Sequence, residues 1–424
     1  MGISMKIVQI NTVVGTGSVG RIAAHLYEMS IANGIQASVG YGRGQAPEGM
    51  QAIKIGSKPD MYCHVARNFF LGESGFGSAH KTRAFLAKLD EIQPDLLHLH
   101  NIHGFYLQIE MLFSYIKSKK IPVVWTLHDC WPMTGHCAYF DYAKCEKWKT
   151  GCHQCEQQRS AYPYALFKDN SIQNYKRKKA AFTGVENLTV VTPSKWLCSK
   201  VKESFLQEYP VVIIPNGINT ELFRPRTEEA LLQKGYKTTR AHTHTIEILG
   251  VANIWESRKG LDYFKVLAER LPENYHITLV GLSAQQIRSF YTNADMKQKV
   301  TAVTRTESQE ELAKLYAKAD VYVNTTLEDN FPTTNLEALA CGTPVITFAT
   351  GGSPEAIEGD GCIGRVVPQG DAVALSQAIQ QMTEQIKPVE SCVKRAGQYE
   401  AKICFQQYID LYRSILETTA NGNN

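Results

Sequence analysis

Short runs of aliphatic and β-branched residues recur along this chain, each followed by turn residues and then by an amphipathic stretch, and no other feature constrains the fold as tightly. In the N-terminal half the runs lie at 6–10, 37–41, 96–100, 123–127, 188–192 and 211–214, with helical patterns such as 21–33 and 109–118 between them. A second series starts near 245, with runs at 246–251, 277–280, 300–303, 321–323 and 345–347 and helical patterns at 260–270, 308–318, 334–340 and 372–382. Strands that alternate with crossover helices form parallel sheets covered on both faces. The fold class is therefore α/β with two doubly wound, Rossmann-like domains, assigned to residues 1–222 and 223–398. Their junction falls between Pro215 and Thr239, where turn residues and a polar stretch break the pattern. A last amphipathic segment, 399–416, carries Phe405, Tyr408, Ile409, Tyr412 and Leu416 on one face and has to bury them. Ligands of such folds bind beyond the carboxyl ends of the strands, so two sheets of this kind are expected to face a central crevice.

The composition agrees with two packed domains: 424 residues, 44% of them hydrophobic and 20% charged, exclude a disordered or fibrous chain. The opening Met-Gly-Ile-Ser-Met-Lys-Ile-Val runs straight into a strand pattern, without the basic flank and apolar stretch of a secretory signal, which predicts a cytoplasmic protein. No apolar run approaches the ~20 residues of a membrane-spanning helix, so any membrane contact is expected to be peripheral. The net charge of +4 conceals an asymmetry: residues 1–210 hold 24 Lys and Arg against 16 Asp and Glu, and the remainder 21 against 25. A basic first half suits an anionic membrane face or a phosphorylated acceptor, with Lys117, Lys119, Lys120 and the run 176–179 as its densest sources, or else simply solvated helix faces. Eleven cysteines without a secretion signal argue against a disulfide framework.

Several residues carry chemistry by type and position. The glycines of Gly15-Thr-Gly-Ser-Val-Gly20 start four residues after the first strand is expected to end, and Tyr41-Gly-Arg-Gly44 offers no carboxylate to a ribose, so a nicotinamide dinucleotide is not expected. A glycine turn before a helix can still present backbone N–H groups at Gly17 and Ser18 to a diphosphate, or be a plain tight turn. In the segment 320–345, Asp329 and Glu337 stand eight apart, and Thr333, Thr334 and Asn335 lie at a helix start, where they offer donors to phosphate oxygens. The alternative is a helix capped by Thr334 with Glu337 completing a capping box. Trp125-Thr-Leu-His128-Asp129 sets a histidine at the carboxyl end of a strand, as a site residue or as a satisfied core imidazole. Cys137, Cys145, Cys152 and Cys155 could supply four thiolates to a structural zinc ion inside an insertion at 130–160, with buried reduced thiols as the alternative.

The stretch 320–345, with its two acids before an Ala-rich helix and a Gly-Thr-Pro-Val turn, resembles the signature of retaining family 4 glycosyltransferases of the GT-B fold. Asp329 stands where that family usually has Glu, with Glu328 beside it, so which acid faces the donor sugar is left open. Thr192-Pro-Ser-Lys-Trp196, Pro215-Asn-Gly-Ile-Asn219 and Lys259-Gly260 match further family segments in order along nearly the whole chain, and the 128–155 segment resembles the colanic acid and O-antigen transferases. The resemblance implies His128 and Asp329 as catalytic residues. It implies donor contacts from Lys259, on the diphosphate, and Glu337, on the nucleotide ribose; the family's Arg five residues before that Lys is Ile254 here, with Arg258 as its substitute. Gly17, Thr333, Thr334 and Asn335 by their helix starts, and Arg305 by its position, are assigned to the donor with them. Ser18, Asp129 and Trp131 are assigned to the acceptor. It also implies that a final helix, 399–420, crosses back to complete an acceptor-binding N-terminal domain, while the C-terminal domain binds the donor.

The reading is a retaining transferase that moves sugar from a UDP- or GDP-sugar to a lipid-linked saccharide in bacterial surface polysaccharide assembly, at the cytoplasmic face of the inner membrane. No cofactor is required, and no nucleic acid partner is expected. The chain holds no Asp-x-Asp triplet, the usual metal-binding mark of the other common transferase fold. An epimerase or sugar phosphorylase on the same fold is the rival enzyme, and a non-catalytic binder of lipid-linked saccharide the rival of another class.

Overall fold

The computed structural model describes residues 5–225, 245–291, 294–359, 361–385 and 387–422. It divides into one unit made of Met1–Asn216 with Lys402–Asn424, and a second made of Gly217–Ala401. The division thus lies at 216/217 rather than 222/223, and most of the polar junction expected before Thr239 lies outside the described residues. The last helix, Ala401–Gly422, starts two residues later than the amphipathic pattern and returns almost entirely to the first unit.

The first unit holds a seven-stranded parallel sheet: β1 (Lys6–Val13), β2 (Gln36–Arg43), β3 (Ala52–Lys54), β4 (Leu96–Leu99), β5 (Val123–Thr126), β6 (Leu188–Thr192) and β7 (Val211–Ile213), in the order β3-β2-β1-β4-β5-β6-β7. The second unit holds six: β8 (Ile246–Val251), β9 (Tyr275–Val280), β10 (Val300–Val303), β11 (Val321–Asn324), β12 (Val345–Phe348) and β13 (Gly364–Val367), ordered β10-β9-β8-β11-β12-β13. In both, the strand order reverses beside the first strand of the series, between β1 and β4 and between β8 and β11. The carboxyl ends of those strand pairs are where an open α/β sheet leaves room for a ligand.

The expected end of β1 was wrong. The strand is expected to stop at Ile10, yet polar Asn11 and Thr12 stay in it and are buried because their side chains are satisfied. Asn11 Oδ1 accepts from the Asn101 N–H at 3.2 Å, and Thr12 Oγ1 donates to the Asn101 carbonyl at 2.9 Å. The glycine turn therefore follows the strand closely, which removes one of the two grounds against a dinucleotide. The other ground stands, since β2 ends at Arg43 with no carboxylate.

Each unit has its own apolar core. Phe113, Trp125, Trp131 and Phe182 anchor the first, and Phe264, Leu279, Val323 and Phe348 the second. The last helix buries Phe405, Tyr408 and Tyr412 in the first unit. No helix among the described residues is long and apolar enough to cross a membrane.

Candidate active site

In the second unit, a short turn after β8 and the loop after β11 are tied together by their backbones. Leu327 N–H donates to the Arg258 carbonyl at 2.7 Å, and Thr325 Oγ1 donates to the Lys259 carbonyl at 2.9 Å. Gly260 makes this approach possible: its φ is +70°, and a Cβ there would stand 2.1 Å from the Thr325 carbonyl oxygen. The tie delivers Lys259 Nζ to within 2.5 Å of Asp329 Oδ2, with both side chains partly exposed. Arg258 reaches the same loop through the Glu328 carbonyl at 3.2 Å and pairs with Glu256 at 2.9 Å. Of the two neighbouring acids, Asp329 meets the lysine, while Glu328 is buried.

The helix Thr333–Ala340 follows directly. Its N-cap is Pro332, with no side-chain cap, so Thr334 is not the capping residue. Glu337 is buried and accepts from Tyr316 Oη at 3.1 Å, so the capping-box alternative does not describe it. Thr333 and Thr334 remain partly exposed at the helix start, where the backbone N–H groups favour an anion. Asn335 departs from expectation: its side chain is fully buried, accepting from Asn324 Nδ2 at 2.8 Å and donating to the Ser353 carbonyl at 3.1 Å. It locks the helix to β11 and offers no side-chain donor outward. Arg305 is exposed just past edge strand β10, with β9 lying between that strand and β8.

In the first unit the glycine turn ends at the helix Gly17–Ala32, whose N-cap Thr16 makes no side-chain bond, leaving Gly17 (φ +67°) and Ser18 exposed at the helix start. Beside it, the ends of β4 and β5 carry a buried polar chain that the sequence reading missed. His100 Nε2 meets Gln9 Oε1 and His100 Nδ1 meets His128 Nε2, both at 3.1 Å. The His98 and His100 rings lie 4.0 Å apart, tilted by 36°, and His98 bonds Tyr412 Oη at 2.6 Å and Thr126 Oγ1 at 2.8 Å. Burial pushes His128 down to about 4, with nearby His103 adding to the drop and Asp129 opposing it. It pushes His98 down to about 3. These imidazoles are therefore neutral at physiological pH. The alternation of histidines in Leu96-Leu-His98-Leu-His100 was the available signal.

Asp129 is buried with both oxygens engaged, to His103 Nε2 and to the Trp131 N–H, each at 2.9 Å. Burial alone would raise its carboxyl, but these partners hold it below the usual range. Trp131, expected to meet an acceptor, is wholly buried under Lys178, whose Nζ lies 3.4 Å from the ring centroid and donates to the Trp131 carbonyl at 2.8 Å. Its place is to support the turn that carries His128 and Asp129. Among the described residues, no group of three or more His, Cys, Asp or Glu is placed to hold a metal ion. Cys152 Sγ accepts from the Gly135 N–H at 3.1 Å, and burial raises the Cys152 thiol and pushes Cys155 up to about 11.

Residues 19–222 match the family model described as Glycosyltransferase Family 4, and residues 245–385 match Glycosyl transferases group 1. The chain belongs to the family 4 glycosyltransferases. This glycosyltransferase is 21% identical to a protein of Escherichia coli (strain K12) described as a colanic acid biosynthesis glycosyl transferase, WcaC, over 97% of this chain and all of the relative. Among solved structures, sucrose-phosphate synthase from Thermosynechococcus elongatus superposes with a TM-score of 0.72 at 18% identity, covering 98% of this chain and all of that one. Anabaena Alr3699/HepE in complex with UDP gives 0.65 at 15% identity, with 97% and 100% covered. These likenesses show the GT-B fold of two Rossmann-like domains.

Proposed function

We propose that this glycosyltransferase takes its sugar from a UDP- or GDP-sugar, attaches it to a lipid-linked saccharide with retention of anomeric configuration, and serves the assembly of a bacterial surface polysaccharide. The observation that carries the donor assignment is the Lys259–Asp329 contact at the switch point of the second sheet, beside an uncapped helix start. A lysine on a loop locked by Gly260 and Thr325, together with the N–H groups at Thr333 and Thr334, is suited to the negative charge that grows on a departing diphosphate. Glu337, aimed by Tyr316, is suited to hydrogen-bond the nucleotide ribose. In the first unit, neutral His128 is suited to bond a sugar hydroxyl, and the N–H groups at Gly17 and Ser18 are suited to an anion such as a diphosphate. In the second unit, Asp329 is suited to face the donor sugar. The polysaccharide role is supported by the likeness to WcaC along almost the whole chain, and the donor class by the nucleotide named with Alr3699/HepE.

The test is heat-induced unfolding of the purified protein with UDP-, GDP-, CMP- and dTDP-sugars, beside Lys259→Ala and Glu337→Ala. A nucleotide-sugar present at a hundred times its Kd stabilises by about 2.7 kcal/mol. One nucleotide class should raise Tm in the parent and in neither variant. No response to any of them would remove the donor site from Lys259 and Glu337.

A further inference from the structure

The helix Lys58–Leu71 is turned against the usual rule. Its buried residues are His64 and Asn68, while Phe69, Phe70 and Leu71 face outward. They meet a second exposed apolar segment. Phe70 and Phe167 stack nearly parallel at 5.3 Å, and Phe69 packs edge-on against both, at 5.3 Å and 5.9 Å. The arrangement is held from beneath: Leu166 N–H donates to the Phe69 carbonyl at 2.9 Å and Asn68 Nδ2 to the Tyr164 carbonyl at 2.8 Å. Phe70 and Phe167 are 54% and 63% exposed, Tyr164 and Leu166 are exposed beside them, and no phenylalanine elsewhere among the described residues is exposed. An apolar cluster anchored this firmly at the surface marks an interaction site.

Its surroundings select the partner. Residues 58–83 and 159–168 together hold six Lys and Arg against two Asp and Glu. A cavity of about 560 Å³ opens beside the tip, with Phe70 and Leu71 on one side and Arg67 and Lys81 among its polar lining. The net positive charge of the two segments that carry the rings disfavours a second copy of the same patch and complements a surface that is apolar within and anionic at its boundary. We propose that this tip docks on an anionic lipid bilayer, with Phe69, Phe70 and Phe167 among the acyl chains and the surrounding lysines and arginines at the headgroup phosphates. The inference deepens the reading of a lipid-linked acceptor by locating where the first unit meets the membrane.

The experiment is flotation of the full chain with vesicles of phosphatidylcholine alone or mixed with phosphatidylglycerol, using the parent, Phe70→Ser/Phe167→Ser and Lys168→Glu. The parent should float with the mixed vesicles and less so in high salt. Loss of two phenylalanines should lower partitioning at least about tenfold, and loss of the lysine by a smaller factor that vanishes in high salt. Each variant should keep the parent's Tm and its shift with nucleotide-sugar in the absence of lipid. The proposal is overturned if the parent floats with neither vesicle, if both variants float as it does, or if the phenylalanines instead hold a dimer that the double variant dissociates. Intact nucleotide binding without flotation would sink the docking surface and leave the donor site standing.

Discussion

Lys178 is the most demanding residue in the first unit, and its cost can be worked out. It is 1% exposed, donates to the Trp131 carbonyl at 2.8 Å, and is held by burial at a pKa of about 7, against 10.5 in water, with Cys152, Cys137 and Asp129 opposing the drop. Its folded pKa lies below its unfolded one, so between pH 7 and 10.5 the unfolded chain holds the extra proton and stability rises with pH. Integrated over the two values, the gain from pH 7 to pH 9 is about 2 kcal/mol, and about 4 kcal/mol of penalty remains at pH 7. Lys178→Met keeps most of the volume and deletes the titration. It also removes the hydrogen bond to Trp131, worth about 1–3 kcal/mol. The variant is therefore expected to be at least as stable as the parent at pH 7, with the difference moving toward the parent by about 2 kcal/mol at pH 9. Urea unfolding of both proteins at the two pH values measures this directly, because other titrating groups cancel in the difference. Parallel pH profiles for parent and variant would refute the reasoning and mean that Lys178 stays charged and compensated in the fold.

Three further outcomes are expected. Gly260→Ala forces a left-handed residue and a 2.1 Å approach to the Thr325 carbonyl, and should cost at least about 2 kcal/mol in urea unfolding; a cost under half of that would show that the loop yields easily. His64, His128 and His136 lie at about 4 and His98 at about 3 through burial, below the ordinary 6.5, so their stabilisation is complete above pH 6.5 and is lost as pH falls toward 4. The slope should be about 1.4 kcal/mol per pH unit for each independent histidine, and a flat denaturation midpoint from pH 6.5 to 4.5 would contradict it. His128→Ala should lower kcat by about a hundredfold while leaving the Tm shift with nucleotide-sugar in place, whereas loss of both together would assign the imidazole to folding.

Most strands were legible because they are short runs rich in Val, Ile and Leu, and β6, β8 and β10 were read to the residue. The strands β3 and β13 were missed, since each sets only two apolar residues beside a charged one, Lys54 and Arg365. The helix Lys58–Leu71 escaped because its apolar residues face water, which erases the periodicity that marks a buried helix. Lys259, Asp329 and Glu337 were singled out one by one. That Lys259 and Asp329 touch, 70 residues apart, depends on a backbone approach that no local pattern encodes. The burial of Trp131 and Asn335 was not legible for one shared reason: both stand in loops or helix starts that look exposed in sequence, and both are tied inward by bonds to residues well separated in the chain.

The last helix gives the chain an awkward order of synthesis. Tyr412 and Tyr408 supply hydroxyls to His98 and Thr126, partners some 300 residues earlier, with all of the second unit lying between. A ribosome therefore releases the continuous second unit before the first can be finished. Until the helix arrives, β4 and β5 keep an unfilled apolar face and lack the hydroxyl partners of two buried polar groups, a condition that favours aggregation and recruits chaperones. Holding the segment 402–422 back, by a slow stretch of message or an early stop, should leave the second unit folded and the first protease-sensitive.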